Sequence, residues 1–339
     1  MRLKRKACPG IAWWFLILAS LLGPGSLGAE EGKQATPAEG AALYEARKYD
    51  EAAAVFEGIL KREPGNAEAH AQLGRAYLPL RHFDDALTHA EESVKLSPKN
   101  ANYQDWLGDA YVQKGMNMGM LKGGRTILKS KDAWRRAVEI DPSLLEARYK
   151  LSMYYLQAPR IAGGSRGKAR EQAEAFLKID GGVPYGHLIL GMLAQKDKNS
   201  SEAESHYKHA IEGNDSRDIK LRAINTYGYF LLDEHRYVQA IDAFLENVKL
   251  APEEAFFHYA LGHAYDIAGR NAEAISAYQD ALKIDPDLGR GVCRFSLAES
   301  YEKSGGKAEA VSEYKEYIRR HPRGDKMKEA EKKLKGLGR

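Results

Sequence analysis

Three stretches of this sequence carry residue types that could do chemistry. Met116, Met118 and Met120 alternate in the run Met116-Asn117-Met118-Gly119-Met120, and closely spaced thioethers are soft ligands of the kind that hold Cu(I). No cysteine or histidine lies nearby to complete such a set. On one extended helix Met116 and Met120 share a face and cover apolar surface, so packing is the expectation here and a copper carrier the alternative. The second stretch runs from Ala162 through Gly163, Gly164, Arg166 and Lys168 to Ala169, one residue away from a phosphate-loop pattern. Such a loop follows a strand and needs a magnesium-binding hydroxyl, where this chain has Ala169. A left-handed glycine stop followed by a solvated basic helix start accounts for it better, although a helix N-terminus there could hold a partner's carboxylate. The third stretch holds His206 and His209, three apart and flanking Tyr207 and Ala210. Two ligands are short of the four a structural zinc needs, so both are expected on an outward face. No serine, cysteine or aspartate stands in a motif that would orient it toward a base. The expectation is therefore no catalysis, no cofactor, no bound nucleotide and no metal.

The elements that would position these residues begin after the first thirty positions. Arg2, Lys4, Arg5 and Lys6 precede an uncharged apolar run, Ile11 to Leu22, and then the small-residue stretch Gly23 to Ala29. This reads as a secretory leader over 1–29, cleaved after Ala29, with a short linker at 30–36. The apolar run is shorter than the ~20 residues a spanning helix needs, which leaves an uncleaved inner-membrane anchor as the alternative to a periplasmic protein. Cys8 lies ahead of the run, so no lipid-bearing cysteine follows it. Removing 1–29 takes away four basic residues and no acidic one, and the +4 formal charge falls to zero. The basicity thus belongs to the leader and is no nucleic-acid footprint. Only Cys293 would remain, so stability must come from packing without an intrachain disulfide.

The remainder repeats with a period of 34. Leu73, Gly74 and Tyr77 recur as Leu107, Gly108 and Tyr111, Gly228 recurs as Gly262, and Leu261, Gly262 and Tyr265 return as Leu297, Ala298 and Tyr301. A small residue and an aromatic four apart mark the second half of each unit, as in Ala52 with Phe56, Ala203 with Tyr207, Ala240 with Phe244, Ala274 with Tyr278 and Ala310 with Tyr314. Prolines 64, 98, 142, 252, 286 and 322 close units. Spacings of three and four put these residues on one helical face. The small residue lets a neighbouring helix come close and the aromatic fills the space above it. Proline ends the second helix because the residue before it disfavours the α region. These residues resemble the tetratricopeptide repeat pattern over 33–324. The resemblance implies an all-α, right-handed superhelical solenoid of about eight helical hairpins. The units are 33–66, 67–100, 101–144, 145–183, 184–217, 221–254, 255–288 and 291–324. Residues 325–339 form a capping helix and tail, with Met327, Ala330 and Leu334 on one face.

Two units break the period. The third is about ten residues too long, with Met116 to Ser130 lying between Tyr111 and a second helix expected around Ala133, Trp134 and Ala137. In the fourth, Ala158 to Lys168 intervenes before the second helix, a loop that includes Arg160, Gly163, Gly164, Arg166 and Lys168. This proline and double-glycine loop is similar to one in a group of exported bacterial tetratricopeptide proteins without an established activity. That likeness implies export and architecture, and no catalytic residues.

In such a stack the first helices line the concave face. Residues one turn from the packing positions point into it: Tyr149, Met153, Leu188 and Met192 in the middle, and Asn225, Tyr229, Tyr259, His263, Phe295 and Glu299 toward the C-terminus, with Arg75, Asp105 and Asp109 near the start. Aromatics and methionines suit adaptable apolar contact, while Asn225 and His263 could pair with a peptide backbone. The lysine and asparagine pairing by which chaperone-binding members of the family hold a terminal carboxylate is missing. The function expected is a non-enzymatic scaffold or adaptor that binds a protein or peptide in the groove. The alternative is an envelope-assembly or polysaccharide-export subunit that docks through the two insertions.

Overall fold

The computed structural model describes residues 36–212, 216–322 and 324–338. The leader expected at 1–29 lies outside them, as does the linker up to residue 35. Among the described residues there are seventeen α-helices and no strand. Eight antiparallel pairs follow one another. They are α1 Pro37–Glu45 with α2 Tyr49–Arg62, α3 Ala67–Tyr77 with α4 Phe83–Leu96, α5 Ala101–Asn117 with α6 Met120–Ile140, and α7 Leu145–Gln157 with α8 Arg166–Phe176. There follow α9 Val183–Lys196 with α10 Ser200–Glu212, α11 Arg217–Asp233 with α12 Tyr237–Leu250, α13 Ala255–Ile267 with α14 Asn271–Ile284, and α15 Val292–Lys303 with α16 Lys307–Arg320. The last helix, α17 Met327–Leu337, closes the stack. Helix α11 starts four residues ahead of the boundary expected at 221, where the sequence carries no proline to mark it.

Most pairs are held at one close crossing. A Cβ on Gly40, Gly108, Gly191, Gly228 or Gly262 would lie 2.3 to 2.7 Å from the ring of Phe56, Trp134, Tyr207, Phe244 or Tyr278 respectively. Ala298 and Tyr314 take these places in the eighth pair, both fully buried. The tight turn between paired helices is left-handed at Arg47, Arg81, Lys198 and His235, with φ between 59 and 64°, and at Gly269 and Gly305. A second recurring bond ties one hairpin to the next. His70, Gln104, Arg148 and His258 each bond the carbonyl of the proline six residues earlier, at 2.9 to 3.5 Å. That carbonyl follows the end of a helix and would otherwise lack a partner.

First helices touch first helices along the stack, from α1 with α3 through to α13 with α15, while each second helix packs between its partner and the next hairpin. The apolar core is accordingly a series of local clusters strung along the solenoid, as expected where a repeat contacts only its neighbours. The stack also coils back on itself. Arg47, in the first turn, pairs with Glu254 at the start of α13, 207 residues away. Burial lowers the His321 imidazole after α16 against the opposing Asp287, helped by Arg320, Arg294 and, from the second turn, Arg81.

Two predictions follow from these contacts. Gly228→Ala gains ~1 kcal/mol of helix propensity but overpacks Phe244, which costs about 1–3 kcal/mol. Urea unfolding followed by circular dichroism should therefore show net destabilisation, relieved when Phe244→Leu is added. A stabilised single variant would show that the ring does not set the crossing. The Arg47–Glu254 pair is exposed, with side chains 62% and 39% accessible, and such pairs contribute about 0–1 kcal/mol. Arg47→Glu should loosen the coil enough to raise the radius of gyration in small-angle scattering, and adding Glu254→Arg should restore it. An unchanged radius in the single variant would mean that the coil is set elsewhere.

Candidate functional site

The inner face is narrower than its sequence suggests. Leu188 and Phe295 are fully buried and Tyr149 is nearly so, which corrects their expected place on the groove surface. Tyr149 is covered from the next first helices, whereas Phe295 is covered by the second helix of its own pair and by α17. Phe295 stacks edge-on against Tyr314 and Tyr317 at 5.4 and 5.7 Å. Tyr149 meets Tyr185 at 5.7 Å, and the Arg222 guanidinium lies 5.0 Å over its ring. Arg222 in turn bonds Glu146 at 3.2 Å, whose other oxygen accepts from the Tyr185 hydroxyl. Nothing in the repeat pattern marks this network, since its members fall at positions without a residue preference.

Met153, Met192, Asn225, Tyr229, Tyr259 and His263 remain partly exposed on α7, α9, α11 and α13. Three of them form a continuous strip. Tyr229 rests edge-on against Phe244 at 5.2 Å and Tyr259 leans on Tyr278 at 5.7 Å. The His263 imidazole lies between them, 6.4 Å from Tyr229 and parallel to Tyr259 at 6.3 Å. Burial pushes the Tyr229 hydroxyl up to about 12 and raises that of Tyr259. It also lowers His263 against the opposing pull of Asp266, so the strip is uncharged at neutral pH. One turn before Tyr229, the Asn225 Oδ1 is buried and has no hydrogen-bond donor.

The charged residues near the start of the groove are engaged within the stack. Arg75 is sandwiched between the rings of Tyr44 and Trp106 at 4.5 and 4.4 Å. The Lys150 ammonium donates to Asp105 at 2.8 and 3.0 Å and to Asp109 at 2.7 Å. Burial raises Asp105 to about 6 even with Lys150 opposing it, which is the price of sinking a carboxylate on the helix-facing side. Glu299 is half-buried beside Lys333, and burial raises its pKa too.

The insertions differ from expectation. Helix α5 ends at Asn117 and α6 begins at Met120, after Gly119 with φ 78°. Most of the first insertion is thus helix, an extension of both members of the third pair, and the second helix starts well ahead of Ala133. Met116 and Met120 do not share a helix, and Met116 and Met118 are exposed, at 56% and 40%, so the expected core role does not hold for them. In the second insertion Gly163 is left-handed, and Ser165 caps α8 by accepting from the Lys168 amide at 3.3 Å. The preceding element is α7, a helix, so the strand a phosphate loop requires is not there. Arg166 is paired with Asp197 at 2.6 Å, and Lys168 lies 5.6 Å over Tyr155. Arg160 and Gly164 complete the loop, where a Cβ on Gly164 would collide with the Ala158 carbonyl at 1.8 Å.

His206 and His209 are not simply outward. The His206 Nδ1 is 2.9 Å from His187 Nδ1, and the His209 ring stacks on His187 at 5.0 Å. Burial lowers the pKa of both His187 and His206. The same slot, a first-helix residue and its partner 19 positions on, holds His70 with His89 in the second pair and Arg294 with Glu313 in the eighth. In these three pairs the slot ties the two helices together whatever polar residues fill it. Among the described residues no three histidines, cysteines or carboxylates are disposed around a common metal position.

Comparison with known proteins agrees with this architecture. Residues 43–115, 255–288 and 293–324 match the tetratricopeptide repeat. Tetratricopeptide repeat protein 37 of Xenopus laevis is 29% identical over 107 residues, covering 31% of this chain and 7% of that protein. The type IV pilus assembly protein PilF of Pseudomonas aeruginosa is 27% identical over 142 residues, covering 41% of this chain and 53% of PilF. The chain thus spans about half of PilF and a small part of the Xenopus protein. Among solved structures, yeast Tom70 superposes with a TM-score of 0.61 at 13% identity, over 86% of this chain and 58% of that one. The Cut9 and Hcn1 assembly of the APC/C gives 0.51 at 16% identity, over 85% and 52%. At such identities the likeness is one of fold. Recurring small and aromatic residues, stacked helix pairs and three separate repeat matches converge, and the chain is a tetratricopeptide repeat protein.

Proposed function

We propose that this protein is a non-enzymatic scaffold of the cell envelope that clasps an uncharged, extended segment or helix of another protein against its inner face. The observation that carries the reading is the Asn225 Oδ1, a buried acceptor without a donor, set one helical turn from the neutral Tyr229–His263–Tyr259 strip. Leaving a buried acceptor unmade costs about 1–3 kcal/mol, and a backbone N–H of a segment that inserts as the groove opens would recover it. Met153 and Met192 extend the strip toward the N-terminus with side chains that adapt to irregular apolar partners. The envelope assignment rests on the basic start and apolar run of 1–29, and is in keeping with the likeness to a pilus assembly protein. The exposed Arg47–Glu254 pair is weak enough for the coil to open around an incoming segment.

A photo-reactive residue placed at Met192 tests this reading, with Val238 on the outer surface, 72% exposed, as the control. Light should produce an adduct with one envelope protein from position 192 and none from 238. Asn225→Val should reduce the adduct about tenfold, the equivalent of one unmade hydrogen bond, with little effect from added salt. Equal labelling from both positions, or labelling indifferent to Asn225, would remove the groove from consideration.

A further inference from the structure

The two interruptions of the repeat, separate in the chain, meet in space. The extended part of α6 and the loop after α7 form the walls of one open cleft of about 460 Å³. Arg125, Leu128, Lys129 and Lys131 line it from α6, and Arg160 and Ile161 from the loop. Four of these are cations. The cleft's single carboxylate, Asp132, is already paired with Arg135 at 3.2 Å. Arg125, Lys131 and Arg160 have no anionic partner among the described residues, and Lys129 has only the Tyr111 ring at 5.3 Å. Leu128 is 39% exposed and Ile161 wholly so.

This surface is built and held. The Tyr154 hydroxyl donates to the Ala162 carbonyl at 2.6 Å, and the Ser165 amide returns to the Tyr155 carbonyl at 2.8 Å. Gly163 is left-handed and bare, and a side chain there would meet the Lys131 Nζ at 3.2 Å. The loop thus presents Ile161 to solvent from a fixed turn, next to unpaired cations, on a chain whose charge without residues 1–29 is zero. Exposed apolar side chains rimmed by charge mark interaction sites, and complementary charge supplies rate and selectivity to such contacts.

We propose that the cleft is a second docking site, separate from the inner face, for an acidic protein segment that carries an apolar side chain. Carboxylates on the segment pair with Arg125, Lys131 and Arg160, while its apolar residue covers Ile161 and Leu128. Arg125, Lys129 and Arg160 are exposed and Lys131 is half-buried, and they stand on the two walls of a cleft. A segment can enter between such walls and meet both at once, whereas a flat bilayer meets only their rims.

The test is fluorescence anisotropy with a labelled peptide of glutamates around one central leucine, and in parallel sedimentation with phosphatidylglycerol vesicles. The intact protein should bind the peptide, with affinity falling steeply as salt rises. Arg125→Glu with Arg160→Glu should weaken binding at least tenfold. Ile161→Ser should weaken it several-fold while preserving the salt dependence. Because all three residues are exposed, the helical circular dichroism signal should be unchanged. Asn225→Val should leave peptide binding intact, so that the fate of this site and that of the inner face are read separately. Failure of the intact protein to bind the peptide, binding that ignores the double reversal, or sedimentation with vesicles in place of peptide binding would each overturn the proposal.

Discussion

In five of the eight hairpins a glycine on the first helix lies where any Cβ would press into an aromatic ring of the second. That approach fixes how closely paired helices pack and which residues face their neighbours, and so where the inner face lies. Glycine inside a helix costs ~1 kcal/mol relative to alanine, and here the ring recovers it. Phe56, Tyr207, Phe244, Tyr278 and Tyr314 are completely buried, and burying side chains of this size contributes a few kcal/mol each. Since the crossing recurs in nearly every unit, the solenoid inherits its regularity from a contact within hairpins. Contacts between hairpins, such as the bonds to proline carbonyls, then set how one unit sits on the next.

The same crossing decides which side chains can bind anything. With first helices packed against one another, a bulky residue near the small position can be covered by its neighbours. Tyr229 and Tyr259, resting on Phe244 and Tyr278, stay partly exposed. Leu188 and Phe295 are core, Phe295 although it rests on Tyr314 in the same way. Burial keeps the exposed strip neutral, while at the start of the groove Lys150 is taken up by Asp105 and Asp109 and Arg75 by the Tyr44 and Trp106 rings. The inner face therefore divides into a self-satisfied polar end and an apolar end where the Asn225 Oδ1 lacks a donor.

The fold was legible because its determinants are local and periodic. Leu73, Gly74 and Tyr77 and their echoes every 34 residues state the hairpin directly, and prolines punctuate it. The site was legible only in part. Periodicity told which residues leave the packing face of a helix, and it located Tyr229, Tyr259 and His263. It carried no information on whether the next hairpin would cover them, which buried Tyr149, Leu188 and Phe295. Contacts between residues far apart in sequence left no trace in the pattern. Glu146 with Arg222 and Arg47 with Glu254 are ordinary surface charges until the coil brings them together. The histidine pairs were hidden for a milder reason, since 19 residues is the span across one hairpin and not a spacing along one helix.

The two interruptions have one structural cause. Lengthening α5 and α6 requires the added turns to cross as closely as the rest. Gly115 and Gly123 provide this, for a Cβ on Gly123 would lie 1.8 Å from the Gly115 carbonyl oxygen. The lengthened α6 then stands beside the end of α7, where a short left-handed turn would otherwise lead into the second helix of the fourth pair. The chain instead leaves α7 at Ala158-Pro159, makes a 3-10 turn at Arg160–Ala162 along α6, and returns through Gly163 and Gly164 to the cap at Ser165. Pro159 accepts two backbone bonds in this detour, from Ala162 and Gly164, and Lys131 of α6 lies over Gly163. On this account the second insertion is the path the chain takes around the first. Cations brought by the one and the apolar tip brought by the other form a single surface because the loop runs along the lengthened α6.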